Sequence, residues 1–135
     1  MFCLDTNIVI HAINRRRPEF AARISVELAA GRTLMIPAIV RFELEYGIAK
    51  SQRPDANRSI LATLLARGFE QPAFDLDDAA EAGEIRAVLE AGGIPIGPYD
   101  ILIAAQARRR GAALVTLNRR EFERVPGLMV TDWAS

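Results

Sequence analysis

Three carboxylates in this 135-residue chain fall where strands or helices would aim them at a common rim. Asp5 closes the apolar stretch Phe2-Cys3-Leu4, and Asp100 opens a helical stretch that keeps Ala104 and Ala107 on its own face, small side chains that leave room beside a carboxylate. Glu43 is the most informative of the three. At about 100° per residue it falls between Ile39 on one side and Val40 and Gly47 on the other, with Phe42, Leu44 and Tyr46 widening the apolar arc. Glu45, by contrast, shares a side with Arg41, where a charge is expected. A carboxylate set into an apolar face is costly to desolvate unless a cation or hydrogen-bond donors hold it there. Carboxylates with no histidine or thiolate among them suit hard cations that take oxygen ligands, namely magnesium or manganese. Such ions activate water and bind phosphate oxygens, so the chemistry implied is phosphodiester hydrolysis.

Each acid also has a plainer reading. Asp5 and Asp100 both sit where an N-cap aspartate is welcome, and Glu43 could be a buried glutamate satisfied by Tyr46 or by an arginine from another helix. It is the conjunction that favours a shared cation. His11 and Cys3 have no partner of their own type and are assigned no role.

The elements that must position these acids are short apolar strands alternating with helices. Phe2 onward reads as a strand running into Asp5-Thr6-Asn7, a cap triplet that starts a helix through Ile13. A helix over 19–30 ends at Gly31, and 33–36 is strand-like. Pro37 enters a helix running to about Lys50, and Pro54-Asp55 opens another carrying Ile60, Leu61, Leu64 and Leu65. After a loop around Pro72, Asp77 or Asp78 caps a helix through Leu89, closed by Gly92-Gly93, and a further helix runs from about Asp100 to Arg110. Strand-like 114–117, a short turn or helix over 119–123 and strand-like 128–131 complete the chain. This alternation predicts an α/β fold in which a central, mainly parallel sheet is flanked by helices, with ligands beyond the carboxyl ends of the strands. Asp5 and Asn118 would then face the same rim.

Length and composition set the limits. Half the residues are apolar, and 17 basic residues balance 17 acidic ones. This predicts one domain over residues 1–135 with a real hydrophobic core. A single cysteine excludes a disulfide framework and a multi-cysteine zinc cluster, and points to a reducing, cytoplasmic setting. No apolar run reaches the ~18 residues of a membrane helix, so no membrane is expected as a partner. The charge balance argues against bulk electrostatic binding of nucleic acid but permits a local basic patch. Arg15, Arg16 and Arg17, on the loop after the Asp5 element, are the favoured patch for RNA. Arg108, Arg109, Arg110, Arg119 and Arg120 are also candidates, although arginines ending a helix equally complement its dipole.

Four blocks in order, LDTNIVI, FELEYGIAKS, GIPIGPYDILIAAQA and LVTLNRREFERVPGL followed by Asp132-Trp133, make the chain resemble PIN-domain ribonucleases of the VapC toxin type from bacterial toxin–antitoxin pairs. The resemblance covers nearly the whole chain. It implies a magnesium-dependent endoribonuclease, with manganese a substitute, whose acids match Asp5, Glu43 and Asp100 and in which Thr6 supplies a hydroxyl near the metal site. The fourth acid common in the family is replaced here by Asn118, with Glu121 three residues later. Asn118 can bond a metal-bound water but brings no charge, and Glu121 either reaches the pocket or lies in solvent. The resemblance further implies products with a 5′-phosphate and a 3′-hydroxyl, and initiator tRNA as the target, cut in the anticodon stem-loop. It also implies a homodimer and a VapB-type antitoxin whose C-terminal segment lies in a groove near the acids, with operator DNA bound only through the antitoxin. The helix bearing Ile60, Leu61, Leu64 and Leu65 either lines that groove or belongs to the core.

Two rivals remain. A receiver-like phosphoacceptor domain would want a lysine beside the acids, yet the only lysine, Lys50, lies about two turns beyond Glu43. The second is a catalytically inactive PIN-like module that binds antitoxin or RNA, a reading that the missing acid at Asn118 keeps open.

Overall fold

The computed structural model describes residues 1–134. Along these the elements run β1 (Phe2–Leu4), α1 (Thr6–Asn14), α2 (Pro18–Ala29), β2 (Leu34–Met35), α3 (Ala38–Ala49), α4 (Pro54–Leu65), α5 (Leu76–Ala91), α6 (Pro98–Arg109), β3 (Ala113–Val115), α7 (Arg119–Phe122) and β4 (Val130–Thr131). The strands form one sheet in the order β2-β1-β3-β4, and every neighbouring pair is parallel. Cys3 and Leu4 in β1 and Leu114 and Val115 in β3 are fully buried. This is why the central strands read as unbroken apolar runs and not as alternating ones. Burial also pushes the Cys3 thiol far above its ordinary range, so that it behaves as a core side chain.

Parallel pairing puts the carboxyl ends of β1 and β3 side by side. Phe2 is in register with Ala113 and Leu4 with Val115, and the Asp5 amide donates to the Val115 carbonyl at 3.0 Å. Whatever follows Leu4 and Val115 therefore meets at one edge. One further pairing escaped the sequence reading. Ile36 donates to the Glu70 carbonyl and Glu70 to that of Leu34, each at 2.9 Å, where a loop around Pro72 was expected. A single bridging residue has no periodicity to betray it.

Helix starts correct two expectations. The cap of α5 is Asp75, neither Asp77 nor Asp78, and Asp75 and Asp78 exchange hydrogen bonds as a capping box. At the third helical position, Asp78 turns fully into the protein and meets Arg109 at 2.9 Å and Arg110 at 2.8 Å on α6. Arg108 pairs with Glu81 at 2.7 Å. The 108–110 run thus ties α6 to α5 and is spent on structure, not offered to RNA. Likewise α6 begins at Gly97 and Pro98, and Asp100 makes no cap. Its carboxylate is left for other uses.

Candidate active site

Asp5 reaches the carboxyl edge of the sheet as the N-cap of α1. Its Oδ1 accepts from the Thr6 amide at 2.8 Å and its Oδ2 from the Thr116 hydroxyl at 2.7 Å. Thr6, one residue on, donates its hydroxyl to Glu43 Oε1 at 2.7 Å, which brings the middle of α3 against the start of α1. On the β3 side Thr116 Oγ1 accepts from the Asn118 amide at 3.0 Å, and the Asn118 side-chain amide donates to Glu121 Oε2. Glu121 Oε1 accepts from the Gly97 amide at 2.9 Å. A β-carbon on Gly97 would lie 3.3 Å from Asp100 Oδ2 and 3.9 Å from Glu121 Oε1. Gly97 therefore lets both carboxylates approach the loop that starts α6. Asp5, Thr6, Glu43, Asp100, Asn118 and Glu121 form one polar arc over the ends of β1 and β3.

The electrostatics bear the marks of crowded like charge. Burial, and then the charges of Asp5, Glu121 and Glu43, raise the Asp100 carboxyl to about 7. Asp5 is also raised, by burial first and in part by Glu43 and Glu121, against the hydrogen bonds from Thr116 and Thr6. Glu121 moves the other way, because the Gly97 amide and the Asn118 side chain both donate to its ionised form. The arc contains no arginine or lysine ion pair to Asp5, Glu43 or Asp100 among the described residues.

The donors are carboxylate, hydroxyl and side-chain amide oxygens, a set suited to a hard divalent cation. Among the described residues no three His, Cys, Asp or Glu side chains close on one point as a ready-made ligand cage.

Several sequence expectations change in detail. The buried stripe of α3 is Val40, Leu44 and Ile48, while Phe42 and Tyr46 face outward at 49% and 60% exposure. Glu43 lies half-buried at the edge of the stripe, not in the middle of an apolar face, and the alternative partners Tyr46 and arginine give way to Thr6. Periodicity missed Thr116 and Gly97. The buried Thr116 looked like one more β-branched strand residue, and Gly97 like part of a turn; only the fold shows what stands beside them.

The Arg15–Arg17 turn follows α1, about 14 Å of helix away from Asp5. Arg17 is engaged with Glu19 at 2.7 Å and stacks over Phe20, whereas Arg16 is exposed and has no ion pair among the described residues. Arg119 pairs with Glu123. Beside Glu43 a groove of about 240 Å³ opens between α1, α3 and α4, and Leu61 serves as both core residue and groove wall. Among the described residues no helix is long and apolar enough to cross a membrane.

Comparison with known proteins places this arrangement among its relatives. The PIN domain family matches residues 2–128. The chain is 38% identical over 132 residues to the tRNA(fMet)-specific endonuclease VapC of Salmonella typhimurium, covering 98% of this chain and 97% of that protein. It is 40% identical to the protein of the same name from Shigella flexneri, with 98% of each covered. Among solved structures it is similar to VapBC2 from Rickettsia felis bound to a DNA fragment from its promoter, with a TM-score of 0.89, 36% identity and 96% of each chain covered.

Proposed function

The chain belongs to the PIN-domain family, among the VapC ribonucleases, and from that premise we propose that it is the toxin of a toxin–antitoxin pair, a magnesium-dependent endoribonuclease acting at the Asp5–Glu43–Asp100 arc. The observation that carries this reading is that those three acids lie with Thr6 and Glu121 along the carboxyl edge of the sheet, with Asp100 raised to about 7 and no arginine or lysine paired with them among the described residues. Asp5, Glu43 and Asp100 would hold the metal, directly or through water. Bound there, magnesium supplies a water of lowered pKa and a positive charge for the scissile phosphate.

The chain's own residues do the rest. Thr116 and the Thr6 amide fix the Asp5 carboxylate from both oxygens, and Thr6 holds Glu43 in place. Glu121 takes the position of the fourth acid in place of Asn118, which orients it by donating to Oε2. Its second oxygen is anchored on the Gly97 amide. An inactive binding module would have little use for so many donors spent on orienting acids. Thr116→Val keeps the volume of the buried side chain but removes its bond to Asp5. We expect kcat/KM to fall about 10- to 100-fold with the fold retained, as when the support of a metal ligand is lost. Equal activity would show that Asp5 does not need this support.

The substrate is an RNA, and the names of the Salmonella and Shigella relatives support initiator tRNA, cut in its anticodon stem-loop to leave a 5′-phosphate and a 3′-hydroxyl. A tRNA substrate places the activity in the cytoplasm. Phosphate contacts away from the cut fall to the exposed Arg15–Arg17 turn, of which Arg15 and Arg16 make no ion pair among the described residues. The Rickettsia felis complex supports a VapB-type antitoxin as partner, with operator DNA bound through that antitoxin. The groove beside Glu43 suits the antitoxin's C-terminal segment. A homodimer fits the outward face where Phe42 and Tyr99 rings stand 5.3 Å apart beside Tyr46.

The test is cleavage of initiator tRNA beside elongator methionine tRNA, in magnesium, in manganese and in chelator. Cutting of the initiator alone, in either metal and not in chelator, is expected. Equal cutting of both RNAs would remove the target, and cutting in chelator would remove the metal.

A further inference from the structure

Two cavities, one between α1, α3 and α4 and the other between α1, α2 and α4, adjoin at Ile13, which lines both, and together they outline a groove. Among the described residues, Glu43 is the only charged one lining the nearer cavity. The farther one, of about 480 Å³, is walled by Ile13, Ile60 and Leu64, and its charged lining residues are Arg15 and Arg67. The groove is therefore negative at the active-site end, apolar along its middle and positive at its far end. From Asn57 to Arg67 it follows about 15 Å of α4 and the residues just beyond.

The positive end places two unmatched arginines on one apolar cavity. Many of the arginines are matched at short range, Arg17 with Glu19, Arg23 and Arg32 with Glu27, Arg108 with Glu81 and Arg119 with Glu123, and of those without a carboxylate partner among the described residues only Arg15 and Arg67 line one of these two cavities. Arg15 and Arg67 have no carboxylate partner among the described residues. Arg67 reaches only the Ser25 hydroxyl, at 2.9 Å. Arg15 is held at the end of α1 by a left-handed backbone, φ 58°, with its amide on the His11 carbonyl, so its side chain leaves from a fixed point on the groove rim. Two unmatched guanidinium groups at the end of an apolar groove are complementary to a carboxylate that arrives with an apolar segment.

We infer that Arg15 and Arg67 bind an acidic side chain of the partner protein, at one end of an apolar segment whose other end sets a basic side chain against Glu43. The inference rests on the antitoxin reading and goes beyond it. It fixes the order of charges along the partner segment, and it assigns Arg15 to partner selection, leaving Arg16 as the residue of that turn open to RNA. About 15 Å corresponds to roughly ten residues of helix or four to five residues of extended chain. Partners with the same apolar pattern but the opposite order of charges would be rejected at both ends.

Random peptides displayed on phage, selected on the full chain free of antitoxin and on its Arg15→Glu/Arg67→Glu form, test this. Unchanged melting of the variant establishes that it is folded. Peptides enriched on the unaltered protein should carry an acidic residue separated from a basic one by an apolar stretch. The variant should enrich a basic residue in place of the acidic one and keep the base at the Glu43 end. Identical charge patterns from both proteins, or no enrichment on the unaltered protein, would overturn the inference. So would a severalfold rise in KM for tRNA in the variant with peptide selection unchanged, which would return both arginines to RNA. Absence of tRNA cleavage by the unaltered protein would count against the nuclease reading, separately from the peptide result.

Discussion

Asp100→Asn is expected to cut magnesium-dependent RNA cleavage by about a thousandfold while making the metal-free protein more stable. The loss of rate follows from removing one anionic ligand of a metal that supplies several kcal/mol to the transition state, with ~1.4 kcal/mol per tenfold in rate. The gain in stability follows from the crowded charge. Burial and the charges of Asp5, Glu121 and Glu43 raise Asp100 to about 7 in the folded protein, against an ordinary value of 3.8. The unfolded chain thus releases this proton first, and the folded protein loses stability as pH rises from the ordinary carboxylate range toward 7. Asparagine removes that slope. In chelator, the melting temperature of the variant should match the parent near pH 3.5, rise above it through pH 4 to 7, and stay above it at pH 8. Magnesium should then raise the melting temperature of the parent and leave the variant nearly unmoved. A variant less stable than the parent at every pH would mean that Asp100 is a structural residue.

Asp78→Ala should produce the largest loss of stability of any single acid. Its carboxylate is fully buried and is shared by Arg109 and Arg110, while it also caps α5 through the Asp75 amide. Removing one partner of a buried pair leaves the other charges uncompensated, at about 3–5 kcal/mol when all are fully desolvated. Arg109 and Arg110 keep 31% and 19% of their side-chain surface in water, so we expect about 2–3 kcal/mol. Urea unfolding at neutral pH measures it. Against the pull of burial, the Arg110 and Arg109 guanidinium groups and the Asp75 amide together hold the Asp78 carboxyl well below its usual range. Its contribution is therefore present at neutral pH and begins to fade only on acidification below about 4, so the gap between parent and variant should narrow progressively as the pH falls further. A loss below about 0.5 kcal/mol would show that α5 and α6 are held by their apolar contacts alone.

How much of this was legible beforehand differs by element. The strand ending at Asp5 and the parallel alternation were readable because central strands of such a sheet are apolar on both faces. Pro54 marked a helix start through its missing amide, whereas Pro18, read as the end of a turn, is in fact the first residue of α2. Glu43 stood out for partly the wrong reason. Phe42 and Tyr46 were counted as buried, yet they face outward, and the acid lies at the edge of a narrower stripe. Hydrophobicity gives a side chain's tendency, and only packing decides which half of the helix is covered. Asp100 looked like a cap because aspartate often is one, but Gly97 and Pro98 start the helix earlier. The Arg108–Arg110 run stayed open between RNA contact and a helix end because its partners, Glu81 and Asp78, belong to a helix whose neighbour no local pattern names. Thr116 and Gly97 act through contacts with residues 111 and 24 positions away in the chain. Spacing carries no trace of such pairings.

The most direct measurement incubates the purified, antitoxin-free chain with total tRNA, in magnesium or in chelator, beside an Asp5→Ala protein purified in the same way. The account predicts discrete tRNA cleavage that needs both magnesium and Asp5. A well-folded protein that binds RNA or antitoxin but leaves tRNA intact in magnesium, or an Asp5→Ala protein that cleaves as well as the parent, would contradict it.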